Sequence, residues 1–143
     1  MSIKKSTVVF PCIFLISFLS VCSILKASTP HKVSSEEALI LLLYPEVNTE
    51  VHNYYKEYIS DGPTVAPYSI NIVDLYHAPN EYGAYHYTII LETRPYVGAH
   101  IDVGLDRITF TLSLDGIESI LFEHLESETL PPWLQHHVIK PLP

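Results

Sequence analysis

The strongest constraint on the fold is a strand-like alternation of side chains between residues 106 and 124. Apolar residues occupy every second position from Ile108 to Leu114, and residues 117–124 follow as a second β-rich segment. A period of two is that of a half-buried strand. Gly116, between the two segments, supplies the positive φ that a tight turn needs. The pattern predicts a β-hairpin with one covered face, so the fold must contain an antiparallel sheet.

The register of this hairpin follows from the pairing that collects most apolar side chains on one face. A turn over residues 114–115 with Gly116 in a left-handed conformation does so. It pairs Ile108 with Phe122, and it pairs Phe110 with Ile120.

Two more strands are predicted upstream, over residues 68–76 and 84–93. In the earlier strand the apolar phase slips between Ile72 and Val73. Such a slip indicates a β-bulge, in which one strand carries an extra residue.

The segment before the sheet opens with a helix-start signal. Ser34 can cap a helix, and Glu37 stands three residues later, which is the spacing of a capping box. The apolar run of residues 38–43 then favours a buried helix. Pro45 interrupts the run. Because proline is favoured in the first turn of a helix, it predicts a second helix over residues 45–59.

These patterns together predict an α+β protein. We expect an N-terminal helical pair packed on one face of an antiparallel sheet of about four strands, arranged as a meander. The predicted core residues of the helices are Leu39, Leu42, Val47, Val51 and Tyr54. Those of the sheet are Tyr87, Ile89, Leu91, Ile108, Phe110, Ile120 and Phe122.

The N-terminus has the organisation of a secretion signal. Lys4 and Lys5 precede an apolar segment over residues 7–25, and small residues follow it. We expect cleavage after Ala27. Retention of the segment as a membrane anchor and lipidation at Cys22 are the alternatives.

The predicted organisation follows from this signal and from the composition of the last residues. It has a signal peptide over 1–27, a leader over 28–33, a single domain over 34–125 and a Pro-rich extension over 126–143. Both cysteines, Cys12 and Cys22, fall in the signal. A cleaved chain therefore has no disulfide, no cysteine nucleophile and no thiolate metal site.

The charge balance restricts the partners. The whole chain has a formal net charge of −8. Cleavage would remove Lys4, Lys5 and Lys26 and leave five basic residues against sixteen acidic ones, a net charge of about −11. Nucleic acids and anionic lipids bind basic surfaces, so we expect no nucleic acid, and contact with the membrane only through the N-terminal segment. The five glycines form no phosphate- or dinucleotide-binding motif, so no cofactor is expected.

Two segments resemble a known family. "SSEEALILLLYPEVNTEVHNYYKEY" and "GAHIDVGLDRITFTLSLDGIESILFEH" are similar to the helical start and closing hairpin of small secreted proteins from spore-forming Gram-positive bacteria. That family is catalogued as a domain of unknown function. The resemblance covers about residues 36–124, with the Tyr54-Tyr55 pair, Gly98 with His100, and Gly104-Leu105 among its marks. It implies secretion and an α+β fold, and it implies no activity.

The candidate site is the loop before the hairpin. His100 and Asp102 stand two residues apart, and His86 or His124 could join them from neighbouring strands. Histidine and aspartate would suit zinc or another divalent ion. The alternative, which we favour, is a connection between the second and third strands, in which Gly98 and Gly104 let the backbone turn and His100 is half exposed.

Two functions are therefore open. The first is an exported, non-catalytic binding or protein-interaction module, whose partner is another extracytoplasmic protein or a cell-envelope component. The second is a metal-dependent or acid–base hydrolase of the cell envelope, centred on His100 and Asp102. No serine-hydrolase elbow motif is present to indicate a nucleophile.

Overall fold

The computed structural model describes residues 32–77 and 85–143. The predicted signal peptide lies outside them. Residues Val33–Pro143 form one compact unit. No helix among the described residues is both long enough and apolar enough to cross a membrane. The elements are helix α1 (Ser35–Tyr55) and strands β1 (Ile70–His77), β2 (Tyr87–Thr93), β3 (Tyr96–Val97), β4 (Ile101–Asp102), β5 (Gly104–Ser113) and β6 (Gly116–Ser127), with short 3-10 turns at Pro67–Ser69 and Pro132–His137.

Helix α1 starts at the predicted capping box. The Glu37 amide donates to the Ser34 hydroxyl, and the Ser34 amide donates to the Glu37 carboxylate, each at 3.0 Å. The predicted helical pair is wrong, because one helix runs through Pro45. Pro45 leaves the Leu41 carbonyl without its helical donor, but both residues are on the exposed side of the helix, where water can serve instead.

The four longer strands form one antiparallel sheet in the order β1–β2–β5–β6, as the predicted meander requires. Short strands β3 and β4 pair separately as a hairpin between β2 and β5. The predicted bulge in β1 is confirmed, since the register shifts between Ile72 and Asp74. The predicted pairing of Ile108 with Phe122 is also confirmed.

The predicted pairing of Phe110 with Ile120 is wrong. Phe110 lies opposite Ser119, and the register of β6 shifts between this pair and the pair of Thr109 with Leu121. Ile120 is the extra residue of that bulge and is exposed. Regular alternation of side chains along β6 would place Ile120 on the covered face, and the bulge removes it from that face.

The core lies between α1 and the inner face of the sheet. Six of the predicted core residues are fully buried: Val47, Val51, Ile89, Leu91, Ile108 and Phe110. Leu39, Tyr54 and Phe122 are partly buried against them. The prediction for Leu42 is wrong, because 70% of its surface is exposed, while its neighbour Leu43 is fully buried. The buried side of α1 is thus the row Leu43, Val47, Val51 and Tyr55.

The C-terminal residues pack on the domain. Leu130 is buried, and Leu134, Val138 and Leu142 are partly buried against the core. The backbone of Ile59 bridges to that of Val138 in antiparallel fashion. Trp133, in the same segment, is exposed.

Candidate functional sites

The loop that the sequence singles out forms an aromatic cluster, which we define as Tyr68, Tyr96 and His100. The ring of Tyr96 stacks on that of His100, with centroids 4.4 Å apart and an interplanar angle of 25°. The Tyr68 hydroxyl lies 3.0 Å from His100 Nδ1. Tyr68 is 79% exposed, so the cluster is on the surface.

His100 has an unusual backbone conformation. Its φ is 60°, and it is the non-glycine residue with positive φ among those that the structure describes. Such a conformation costs on the order of 1–3 kcal/mol for a residue with a Cβ. Strand β3 brings Tyr96 to the loop, and mutual backbone hydrogen bonds between Tyr96 and Thr64 fix that strand. The surroundings therefore hold the His100 backbone in a strained conformation and the imidazole ring in a defined position.

A second group of polar side chains is buried where α1 meets the sheet. Asp106 is fully buried on β5, directly opposite His124 on β6. Asp106 Oδ1 lies 2.7 Å from His124 Nδ1, and the Tyr55 hydroxyl donates to the same Oδ1 at 3.2 Å. His124 Nε2 lies 2.7 Å from Ser127 Oγ. We call Tyr55, Asp106, His124 and Ser127 the polar chain.

A bulge in β6 gives the polar chain its last member. With plain alternation, Glu126 would share a face with His124. The register instead shifts between Leu105 and Asp106, so that Gly104 lies opposite Ser127 and Leu105 opposite Glu126. The shift turns Glu126 to the outer face and Ser127 to the inner one.

Close packing holds the polar chain in place. A Cβ on Gly104 would lie 2.7 Å from His124 Cε1 and 3.0 Å from the Tyr55 hydroxyl. The Tyr54 ring stacks on the His124 ring, with centroids 5.3 Å apart and 26° between the planes. Since the His124 side chain is only 7% exposed, its ring is confined on several sides.

Burial changes the acid–base chemistry of this group. It raises the pKa of the Asp106 carboxyl above its ordinary value, while the hydrogen bonds from His124 and Tyr55 oppose the change. Asp106 Oδ2 is buried without a hydrogen-bond partner among the described residues, and this adds to the energetic cost of ionising the carboxyl. Burial, and then the negative charge of Asp106, raise the pKa of the Tyr55 hydroxyl.

The raised pKa of the Asp106 carboxyl predicts a pH dependence of stability. Unfolded Asp106 loses its proton at a lower pH than folded Asp106. Between the two pKa values the native state therefore binds more protons, and the free energy of unfolding falls as pH rises. Urea unfolding of the wild type and of Asp106→Asn from about pH 4 to about pH 6 isolates the effect. The free energy of unfolding of the wild type minus that of the variant should decrease as the pH rises across this range. An increase would mean that the Asp106 pKa is lowered.

Of the predicted site residues, His100 belongs to the aromatic cluster and His124 to the polar chain, whereas Asp102 and His86 belong to neither group. His100 contacts Tyr68 and Tyr96, and Asp102 is exposed on β4, paired with Tyr96. His86 precedes β2, whereas His124 belongs to the polar chain, with both ring nitrogens close to protein oxygens. Within residues 32–77 and 85–143, no three His, Cys, Asp or Glu side chains lie together in a group that could hold a metal ion.

A cavity of about 280 Å³ lies beside Ser127. Its apolar wall includes Ile59, Leu130, Val138 and Leu142. The Ser127 hydroxyl also donates to a backbone oxygen of Pro143, which is part of the terminal carboxyl group, at 2.6 Å. The exposed end of the polar chain therefore lies next to an apolar space and next to a carboxyl group.

The fold defines a small α+β protein in which one helix covers a four-stranded antiparallel meander. Residues 35–126 match the family described as Protein of unknown function (DUF3888), and the chain belongs to that family. No match was found among curated proteins or among solved structures.

Proposed function

We propose that the protein acts outside the cytoplasmic membrane as a binding module, and that the aromatic cluster contacts a component of the cell envelope. The observation that supports this most directly is the strained, exposed His100 between two tyrosine side chains. Strained backbone conformations concentrate at ligand-binding and other functional sites.

The chemistry of the cluster suits binding. Tyrosine offers a large, rigid contact area together with a hydroxyl group, and it is enriched at binding surfaces. The ring of Tyr68 is already exposed, and its partner rings are already ordered, so little side-chain entropy is lost when a ligand arrives. Flat rings with hydrogen-bonding edges fit sugar rings and extended peptides, both of which are exposed outside the membrane.

The proposed location rests on the sequence. The basic Lys4 and Lys5 followed by the apolar residues 7–25 support export. The acidic composition supports a partner other than nucleic acid or an anionic lipid surface.

The alternative of a hydrolase centred on His100 and Asp102 has less support. His100 Nδ1 is within hydrogen-bond distance of the Tyr68 hydroxyl, and its ring is stacked on Tyr96. Asp102 is exposed on a two-residue strand. These positions suit contact with a ligand better than the positioning of a catalytic acid and base.

Cosedimentation with washed envelope fragments of the producing cells tests the binding. We expect the wild-type domain to sediment with them and Tyr68→Ala to bind at least about tenfold more weakly, equivalent to about 1.4 kcal/mol. Tyr85→Ala is the matched control, because Tyr85 is also exposed, at 63%, but is outside the cluster. Protease treatment of the fragments separates a protein partner, for which binding would be lost, from a glycan. Equal binding by all three proteins would contradict the proposal.

A second variant separates binding from folding. Glycine adopts a φ of 60° without strain, so His100→Gly should be at least as stable as the wild type while lacking the imidazole ring. We therefore expect unchanged or higher resistance to urea together with weaker envelope binding. A variant that kept full binding would exclude His100 from the contact surface.

A further inference from the structure

The polar chain has an order of groups that the proposed binding function does not use. A buried carboxylate contacts one nitrogen of an imidazole, and the other nitrogen contacts a serine hydroxyl, both at 2.7 Å. In enzymes this arrangement activates a serine: the acid orients the ring, and the ring removes the hydroxyl proton.

The burial of the three groups follows the same order. Asp106 is fully buried and the His124 side chain is 7% exposed, whereas Ser127 is an exposed residue. The acid and the base are therefore shielded from water, and the hydroxyl remains accessible. Contact of Asp106 Oδ1 with Nδ1 favours the tautomer that carries its proton on that nitrogen, which leaves Nε2 unprotonated. The Ser127 hydroxyl donates its proton to Pro143 in this structure, and Nε2, 2.7 Å away, can accept that proton when a substrate displaces Pro143.

The surroundings of Ser127 indicate the class of substrate. The cavity beside it has the apolar side chains of Ile59, Leu130, Val138 and Leu142 in its wall, and these would take an apolar group. Glu128, Thr129 and Gln135 supply polar groups to the same wall. A backbone oxygen of Pro143, in the terminal carboxyl group, lies 2.6 Å from Oγ, so a carboxyl group, which is also the product of ester hydrolysis, fits beside this hydroxyl.

We propose that Ser127 is a nucleophile, oriented by Asp106 and activated by His124, that accepts acyl groups from carboxylic esters with an apolar acyl chain. Ser127 Oγ bonds to the ester carbon as its proton passes to His124 Nε2. The bond to the alkoxy oxygen breaks, and the leaving alcohol takes that proton. Water then attacks the acyl-serine, gives one proton to Nε2, and releases the carboxylic acid as Ser127 regains its proton. The inference does not rest on envelope binding.

The test is the reaction of the full chain with an alkyl fluorophosphonate, which labels activated serines, followed by peptide mass analysis. We expect Ser127 to be labelled at least about a hundredfold faster than in the heat-denatured chain, within the range of general-base catalysis. Ser119, also on β6 but opposite Phe110, is the internal comparison and should stay unlabelled. Ser127→Ala should abolish the labelling and the hydrolysis of p-nitrophenyl butyrate.

Two further variants test the activation. Asp106→Asn keeps the shape of the side chain but removes its charge, and His124→Gln removes the base. Each should slow labelling of Ser127 at least about tenfold, measured at a temperature where circular dichroism shows the variant folded. If one variant does not fold, the other is decisive. Labelling of native Ser127 no faster than of denatured Ser127, or unchanged in the folded variants, would overturn the proposal.

Discussion

Replacing Leu43 by alanine should lower the free energy of unfolding by about 2–5 kcal/mol, whereas the same change at Leu42 should alter it by less than about 0.5 kcal/mol. Leu43 is fully buried between α1 and the sheet, so its loss leaves a cavity as well as forfeiting buried apolar area. Leu42 is 70% exposed, and alanine is an equally good helix former at that position.

Urea unfolding of both variants, followed by circular dichroism, measures the difference. The two residues are identical and adjacent, so helix propensity and composition cancel in the comparison. A larger loss for Leu42→Ala would mean that the helix is rotated by about one residue, about 100°, from the arrangement described here.

The second large effect is expected at Gly104. An alanine Cβ there would collide with the Glu126 backbone carbonyl and would crowd His124 and Tyr55. A backbone atom in a paired strand cannot move aside as a flexible side chain can. Gly104→Ala should therefore destabilise the domain by about 3 kcal/mol or more, because β5 and β6 must separate at this point.

Gly98→Ala is the control for this substitution. Gly98 has a φ of 54°, but a Cβ there would meet nothing within 4 Å. That change should cost about 1–2 kcal/mol of backbone strain. Thermal unfolding of both variants distinguishes crowding from strain, and equal losses would contradict the close approach of β5 and β6.

Much of the fold was predictable because local patterns report local structure. The capping box at Ser34, the hairpin turn at Gly116 and the bulge after Ile72 each depend on a few neighbouring residues. Such signals remain visible in a single sequence.

The rotation of the helix could not be predicted in the same way. Residues 38–43 are all apolar, so the run has no amphipathic phase, and the sheet decides which side is covered. The continuation of α1 through Pro45 was not predicted, because proline is common in the first turn of a helix. The missing hydrogen bond at Pro45 is tolerable because this side of α1 is exposed to water.

Part of the polar chain could have been predicted from the sequence. Antiparallel pairing of Ile108 with Phe122 also places Asp106 opposite His124, two residues further along each strand. The inclusion of Ser127 depends on a second bulge, and that of Tyr55 depends on the helix rotation. Neither has a sequence signal. The positive φ of His100 is likewise set by its surroundings, since histidine has no requirement for it.

The C-terminal segment has a consequence for the order of folding. The backbone of Ile59 pairs with that of Val138, and Lys140 Nζ lies 2.9 Å from Glu57 Oε2, a contact 83 positions apart in sequence. Neighbouring strands of the meander can pair early, but this closing contact requires nearly the whole chain. A polypeptide that is synthesised from the N-terminus therefore leaves the apolar surface that Leu130 covers open to water until synthesis is nearly complete.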